Sequence, residues 1–449
     1  MNKVNDLTVG NEKKLILAFF FPMLATNMLQ QLYSFADIAI VGKGLGDNAL
    51  AAVGNMGSLH FLIIGFSLGL ANGFSVLIAQ HFGAKEYDRL RKTMAASIKL
   101  AAVIAVLLTL LSVVFLEDAL NLLQTDSTIM NDCLTYGYII FGGLSTAILY
   151  NMSAAILRAF GDSRTPLKAI VASSILNILL DIVFIFGIHM GVEGAAIATV
   201  FSQLVSAGIC ISRIRNIEYA RLSRQDYVND IKMYLNLLKN GVPMAFMNSL
   251  TAVGCMVVQY FVNGLGVAYT AAYSACSKYM NLFMTPSCSA GHTMSAFTSQ
   301  NYGAKEYKRI KHGLVVCLEI AMISYIILGS AALFFAEPLA RILLSSEDAV
   351  ALACRYMPVC GSMLFAVDFL FVFRSGVQGM GYPLVPMCSG IVEMVLRIGT
   401  IALFIENTGF MATAYAEIGA WSGALLLNLI AFVYILMVKS NPEKHRKYA

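Results

Sequence analysis

Gln80-His-Phe-Gly-Ala-Lys-Glu-Tyr-Asp-Arg89 recurs in this chain as Gln300-Asn-Tyr-Gly-Ala-Lys-Glu-Tyr-Lys-Arg309, with seven of ten positions identical at an offset of 220 residues. The same offset aligns Gly44-Leu45-Gly46 with Gly264-Leu265-Gly266, Ala51-Ala52 with Ala271-Ala272, and Gly161 with Gly381, while Pro22 and Pro243 lie 221 apart. Coincidence explains such a pattern poorly, so the chain reads as an internal duplication. Its halves are expected to be residues 1–220 and 221–449, joined by a polar, basic stretch at about 213–239.

Composition says what each half is made of. Hydrophobic residues are 58% of 449, charged residues only 13%, and the mean hydropathy is +0.72; a soluble domain of this size does not show that balance. Twelve apolar segments recur, at about 14–40, 51–80, 93–116, 132–158, 167–189, 192–213, 238–262, 269–298, 312–336, 348–377, 384–406 and 412–438. Each is long enough for a hydrocarbon core of about 30 Å. The expectation is an all-α integral membrane protein of twelve transmembrane helices in two homologous six-helix lobes. Because six is even, both halves enter the membrane in the same sense, and an axis along the membrane normal should relate them. The N-terminal run lacks a signal peptide's cleavage pattern and is expected to stay in the protein.

Charge sets the orientation. With both termini inside, the inner segments hold the Lys and Arg residues of 85–92, 164–168, 213–224, 305–311 and 444–447, whereas the outer loops hold essentially Lys43, Arg341 and Arg355. That asymmetry is the positive-inside rule and gives N-in, C-in. The net charge of +5 is thereby read as topology, with no nucleic-acid partner. Nine single cysteines, with no Cys-x-x-Cys, read as small buried apolar residues. Val41-Gly-Lys-Gly-Leu-Gly-Asp47 lacks the Walker spacing and a preceding strand, so it reads as an outer turn.

The chemistry is carried by polar residues inside the spans. Asn27, Gln30/Gln31, Ser34 and Asp37 recur every three or four residues of 15–46 and share one helix face. A carboxylate at bilayer depth costs at least about 2.5–3.5 kcal/mol, so Asp37 should face a bundle interior or an aqueous cavity. In the fifth span Ser174, Asn177 and Asp181 share a face, and in the sixth Thr199, Gln203 and Ser206 do. Counted at about 1.5 Å per residue from the span ends, Asp37, Asp181 and Thr199 all fall in the outer half of the bilayer. Two carboxylates, an amide oxygen and a hydroxyl could cage Na⁺, or the acids could hold a proton between them. Helix-to-helix hydrogen bonding is the competing reading, strongest for Thr199. The duplicated frame is charged differently in its second half, where Val257 stands at the position of Asp37 and Glu393 and Arg397 stand at those of Asn177 and Asp181. Lys278, Arg374 and Arg397 are expected to meet Asp368 and Glu393, either as self-neutralising pairs or as a substrate site. Gln31, Ser34, Tyr150, Lys278, Asn281, Asp368, Arg374, Glu393 and Arg397 are the candidate cavity residues.

With these residues in view, the chain resembles the multidrug and toxic compound extrusion (MATE) transporters over essentially its full length. The resemblance rests on the twelve-span duplicated plan, Pro22 with Ala36-Asp37-Ile-Ala-Ile-Val-Gly42, the doubled Gly-Ala-Lys-Glu-Tyr loops, and Asn177-x-x-x-Asp181 followed by Gly194-Ala-Ala-Ile-Ala-Thr199. It implies a V-shaped pair of lobes and a secondary antiporter of the bacterial plasma membrane. That antiporter would export amphipathic, often cationic xenobiotics in exchange for Na⁺ or H⁺, working as a monomer without a cofactor. It carries cation or proton binding onto Asp37, Asn177, Asp181, Thr199 and Asn151, and a hinge onto Pro22. The chain departs from the Na⁺-coupled vibrio branch because Pro243 is followed by Met-Ala-Phe-Met-Asn-Ser-Leu-Thr251 with no acid, which is nearer the DNA-damage-inducible branch. The alternative is a lipid-linked precursor flippase of the same superfamily. An enzyme is not expected, since neither HExxH nor an elbow serine is present, and the absence of a P-loop argues against a pump driven by ATP.

Overall fold

The structure, a computed structural model, describes residues 5–440; the basic residues Lys444, Arg446 and Lys447 lie outside them. It is built of helices throughout the described residues. The first half comprises α1 (Glu12–Leu45), α2 (Asp47–Gly83), α3 (Tyr87–Val114), α4 (Ser127–Gly142 bent by 45° onto Leu144–Ala159), α5 (Arg164–Gly187) and α6 (Val192–Arg215). The second comprises α7 (Ile231–Leu265), α8 (Val267–Gly303), α9 (Tyr307–Phe334), α10 (Glu347–Ser362 bent by 46° onto Leu364–Gly379), α11 (Leu384–Thr408) and α12 (Met411–Lys439). Among the described residues nine helices are individually long and apolar enough to cross a membrane, and the bent pairs α4 and α10 supply two more spans. The polar stripe of Ser274, Lys278 and Asn281 makes α8 the least apolar of the twelve.

The duplication is written into the backbone. α2 and α8 are both 37 residues long and start 220 residues apart, and α4 and α10 bend at Gly143 and Met363, again 220 apart. In each doubled loop the lysine adopts the left-handed conformation, with φ of 60° at Lys85 and 61° at Lys305. This allows the Glu86 N–H to reach His81 O at 3.0 Å and the Glu306 N–H to reach Asn301 O at 2.8 Å, which closes a helix C-terminus of Schellman type. The motif repeats because the turn does.

The compact units differ from the expected cut at 220/221. One unit comprises the residues up to Asp6 and Phe21–Ala245; the other comprises Leu7–Phe20 and the residues from Phe246 onward. The change of unit falls within two residues of Pro22 in α1 and within three of Pro243 in α7. Burial explains it. Within the second unit, Ile16, Phe19 and Phe20 are at most 5% exposed. The Leu7 N–H donates to Gln300 Oε1 at 2.8 Å, and Arg309 donates to Gly10 O at 2.9 Å and to Leu7 O at 3.2 Å. Within the first unit, the start of α7 crosses α2 so closely that a Cβ on Gly73 would lie 2.5 Å from Gly241 Cα, and one on Gly69 would lie 2.5 Å from Ala245 Cα. Small residues permit such crossings between membrane helices. The linker before α7 is tied to α3 by Arg91 to Asp226 at 3.4 Å and Lys99 to Asn229 at 2.9 Å.

Two large apolar clusters and a smaller one around Ala105, Leu144 and Ile148 fill the first unit. One of the large clusters holds Leu70, Phe74, Ile78 and Phe160; the other holds Val41, Met56, Cys133, Tyr136, Phe141 and Ile185 and surrounds the outer ends of α1 and α5. The latter cluster frames the polar site.

Candidate functional site

α1, α5 and α6 bring Asp37, Asn177, Asp181 and Thr199 together inside the first unit. Asn177 and Asp181 are one turn apart on α5 and fully buried. Asn177 Nδ2 donates to Asp181 Oδ2 at 2.9 Å while Asn177 Oδ1 accepts the Thr199 N–H at 3.2 Å, an amide orientation set by its neighbours. The Thr199 hydroxyl lies 3.4 Å from the same amide. The carboxyl groups of Asp37 and Asp181 are within hydrogen-bonding reach of each other. One oxygen on each, Oδ1, is buried without a partner. Two acids in such contact at low dielectric require a shared proton or a cation between them. The four groups offer carboxylate, amide and hydroxyl oxygens, the donor set of a hard monovalent cation. Tyr33 on α1 lies close to Thr199, and Tyr136 on α4 stands beside both acids.

The second unit spends its charges differently. Arg374 of α10 bonds Glu393 of α11; Glu393 lies 3.7 Å from Arg397; and Arg397 donates to Glu417 of α12 at 2.9 and 3.1 Å. All four are buried. They form an alternating chain of two cations and two anions across three helices. Asp368 does not join it, since it is fully buried and neither oxygen has a hydrogen-bond partner. Six residues before Arg374 on α10, it lies about 240° around the helix from that arginine. The expectation that Asp368 pairs with these cations is corrected: Glu417 takes that place.

A family model described as MatE matches residues 22–183 and 243–403. The chain belongs to the MatE family. Each match begins within a residue of a proline in a half's first helix and ends in α5 or in α11, so the MatE unit is found once per half. Among relatives, the chain is 28% identical over 442 residues to "Probable multidrug resistance protein YpnP" of Bacillus subtilis, covering 96% of each. It is 29% identical over 352 residues to "Probable multidrug resistance protein YoeA" of the same organism, covering 76% of this chain and 75% of that one. It is 26% identical to "Probable multidrug resistance protein NorM" of Thermotoga maritima, covering 92% and 89%. A crystal structure described as MATE in the bent conformation superposes with a TM-score of 0.89 at 21% identity, covering 97% of each chain. That of MATE in the straight conformation gives 0.88 at 22%, covering 98% of each. At this identity the likeness shows the fold, a multi-pass membrane protein of MatE type.

Other residues singled out in the MatE sequence are distributed as follows. Asn151 is buried on α4 but makes no hydrogen bond to the acid pair; its neighbour Tyr150 packs into the cluster around Phe74 and Phe160, beside Arg158 and Cys210. Tyr150 is core and does not line a cavity. Gln31, Ser34, Lys278 and Asn281 are exposed, whereas Asp368, Arg374, Glu393 and Arg397 are buried and are not open cavity residues. Pro22 lies inside an unbroken α1, where Thr26 Oγ1 donates to Pro22 O at 2.8 Å. Sequence reading missed Tyr33, Tyr136 and Glu417. Tyr33 stands one turn before Asp37 on the polar face and was findable there; nothing in the sequence singles out Glu417 among the acids near span ends.

Proposed function

We propose that this MatE chain is a secondary antiporter that exports amphipathic, cationic xenobiotics in exchange for Na⁺ or H⁺. The observation that carries the reading is the approach of the half-buried Asp37 to the buried Asp181, with buried Asn177 and Thr199 as further oxygen ligands. The relatives are named as drug-resistance proteins, which favours this reading over the lipid-linked precursor flippase. With a cation bound, the two acids are compensated. When it leaves, like charges in contact must either capture a proton or move apart. α1 can yield near Pro22, where a backbone donor is missing and the carbonyl one turn earlier is left without its helical partner. Asn177 holds the Asp181 carboxyl in place throughout, and Thr199 and Tyr33 supply the hydroxyl side of the site. A ligand moves such an equilibrium only by its differential affinity for the two states, so the coupling ion and the drug must favour opposite positions of α1.

The test is drug transport by the purified protein in liposomes under imposed Na⁺ and pH gradients. Asp37→Asn should fold and still bind drug, yet lose efflux driven by the gradient, and Asp181→Asn should behave alike. Transport by Asp37→Asn at the wild-type rate with unchanged gradient dependence sinks the proposal.

A further inference from the structure

The turn that follows Asp181 is not α-helical. From Ile182 to Gly187, α5 runs as a π-helix, and the Ile188 N–H reaches back five residues to Val183 O at 2.8 Å. Such widened turns interrupt helices mostly where function demands a particular side-chain direction. Against this turn lies the outer end of α1. Val41, one turn beyond Asp37, and Ile185, one turn beyond Asp181, are buried in the same cluster. Gly44, two turns beyond Asp37, is closer still. A Cβ built on it would fall 2.5 Å from Ile185 Cγ2 and 3.0 Å from Phe186 Cζ. Gly44 does not have a positive φ. Within α1 a glycine is otherwise an unfavourable choice, so its value at this position is the space it leaves.

The duplication supplies an internal control. Gly264, the counterpart of Gly44, has nothing within 4 Å of its would-be Cβ. α11, the counterpart of α5, is unbroken α-helix from Leu384 to Thr408. At these corresponding positions the close glycine and the π turn therefore occur only in the half that carries the acid pair; the π-helix of the other half, Tyr325–Gly329, lies in α9 and not in the counterpart of α5.

We infer that Gly44 is a positioning residue: its missing side chain lets α1 seat against the π turn of α5 and so sets the approach of Asp37 to Asp181. The inference rests on reading that pair as the coupling-ion site. Any side chain at position 44 wedges the outer ends of α1 and α5 apart and opens the acid pair without touching it. Propensity alone would make Gly44→Ala a stabilising change in a helix, so a loss must come from the wedge.

The experiment measures, in proteoliposomes, the coupling-ion concentration or pH giving half-maximal efflux and, separately, the drug KM. Gly44→Ala should shift the ion midpoint by roughly tenfold or more, up to the roughly 10²-fold that a 1 Å misplacement can cost in a preorganised site, with Gly44→Val worse and no loss of drug affinity. Removing the opposing methyls in Gly44→Ala/Ile185→Ala should bring the midpoint back to that of Ile185→Ala alone. If the single variants do not accumulate, recovery of both folding and the ion midpoint in the double variant supports the inference, and failure to recover overturns it. Gly44→Ala and Gly44→Val at the wild-type midpoint, beside an Asp37→Asn that has lost ion dependence, overturn it and leave the antiporter reading standing. Asp37→Asn with unchanged ion dependence overturns both. Parallel losses of drug affinity and ion dependence that Ile185→Ala does not rescue also overturn it, since they make Gly44 a general packing residue.

Discussion

Removing the carboxylate of Glu417 tests the charge chain of the second unit. Arg397 gives Glu417 two hydrogen bonds, at 2.9 and 3.1 Å, and its Nη1 already lacks a partner. In Glu417→Ala, the buried guanidinium keeps only Glu393 at 3.7 Å, and Arg374 already bonds that carboxylate. Breaking a buried pair by deleting one member costs about 3–5 kcal/mol, because the survivor stays desolvated and uncompensated. Unfolding entropy of about 2.1 cal/mol/K per residue over a unit of roughly 200 residues is about 0.4 kcal/mol/K, so Tm should fall by roughly 7–12 °C. Glu417→Gln keeps an acceptor for Nε and Nη2 and should lose about half as much. Arg397→Met/Glu417→Leu removes both charges and should lie above either single truncation. Tm is read from thermal denaturation of the purified protein, followed by the monodisperse fraction that survives heating. The reasoning is refuted if Glu417→Ala melts with wild type, or if the double variant falls by the sum of the singles.

Other regions make shorter predictions. Gly73→Leu would place its side chain where Asn240 O and Gly241 Cα stand 2.5 Å from the added Cβ; it should cost at least about 1–3 kcal/mol, seen as reduced accumulation and a lower Tm. Asp368→Asn removes a buried carboxylate that has no hydrogen-bond partner and should match or exceed wild-type Tm, with gradient dependence retained in liposomes. Burial favours the protonated form of Asp226, but the Ser223 N–H and hydroxyl and then Arg91 outweigh it and hold the carboxyl below the usual range. A depressed folded-state value means that this tether contributes at neutral pH and is lost as pH falls through that value. Asp226→Ala should therefore increase proteolysis of the linker before α7 at pH 7, and the difference from wild type should shrink on acidification below the unfolded carboxylate range.

The spans, the duplication and the acid-bearing face of α1 were legible because each is periodic or repeated. Asn177 and Asp181 share an α5 face by simple spacing, and the Gly-Ala-Lys-Glu-Tyr loops announce the repeat. What stayed hidden depends on contacts between segments distant in sequence. Glu417 is one acid at the start of a long apolar helix, and only the packing of α11 on α12 turns it toward Arg397. The change of unit beside Pro22 and Pro243 was illegible for a similar reason, since the duplicated helices themselves give no sign of which neighbours bury Ile16 or Gly241. The π turn was invisible because Ile-Val-Phe-Ile-Phe-Gly is equally apolar in either helical period.

The two halves settle what kind of asymmetry the sequence announced. Both place polar groups one turn apart on the fifth helix of the half, Asn177 with Asp181 and Glu393 with Arg397. In the second half those groups are neutralised by arginine and glutamate from neighbouring helices, so cation entry there would break existing bonds before making new ones. In the first half Asp37 and Asp181 meet each other with an unpartnered oxygen apiece and no basic side chain among their hydrogen-bond partners. A mobile cation is the compensation left to such a pair, and binding it breaks no existing ion pair. The second half is thus built to keep its charges fixed. On the proposed reading the acid pair of the first half is where an exchangeable proton or metal cation binds, and α1, which carries one of its two acids, has a proline four turns below.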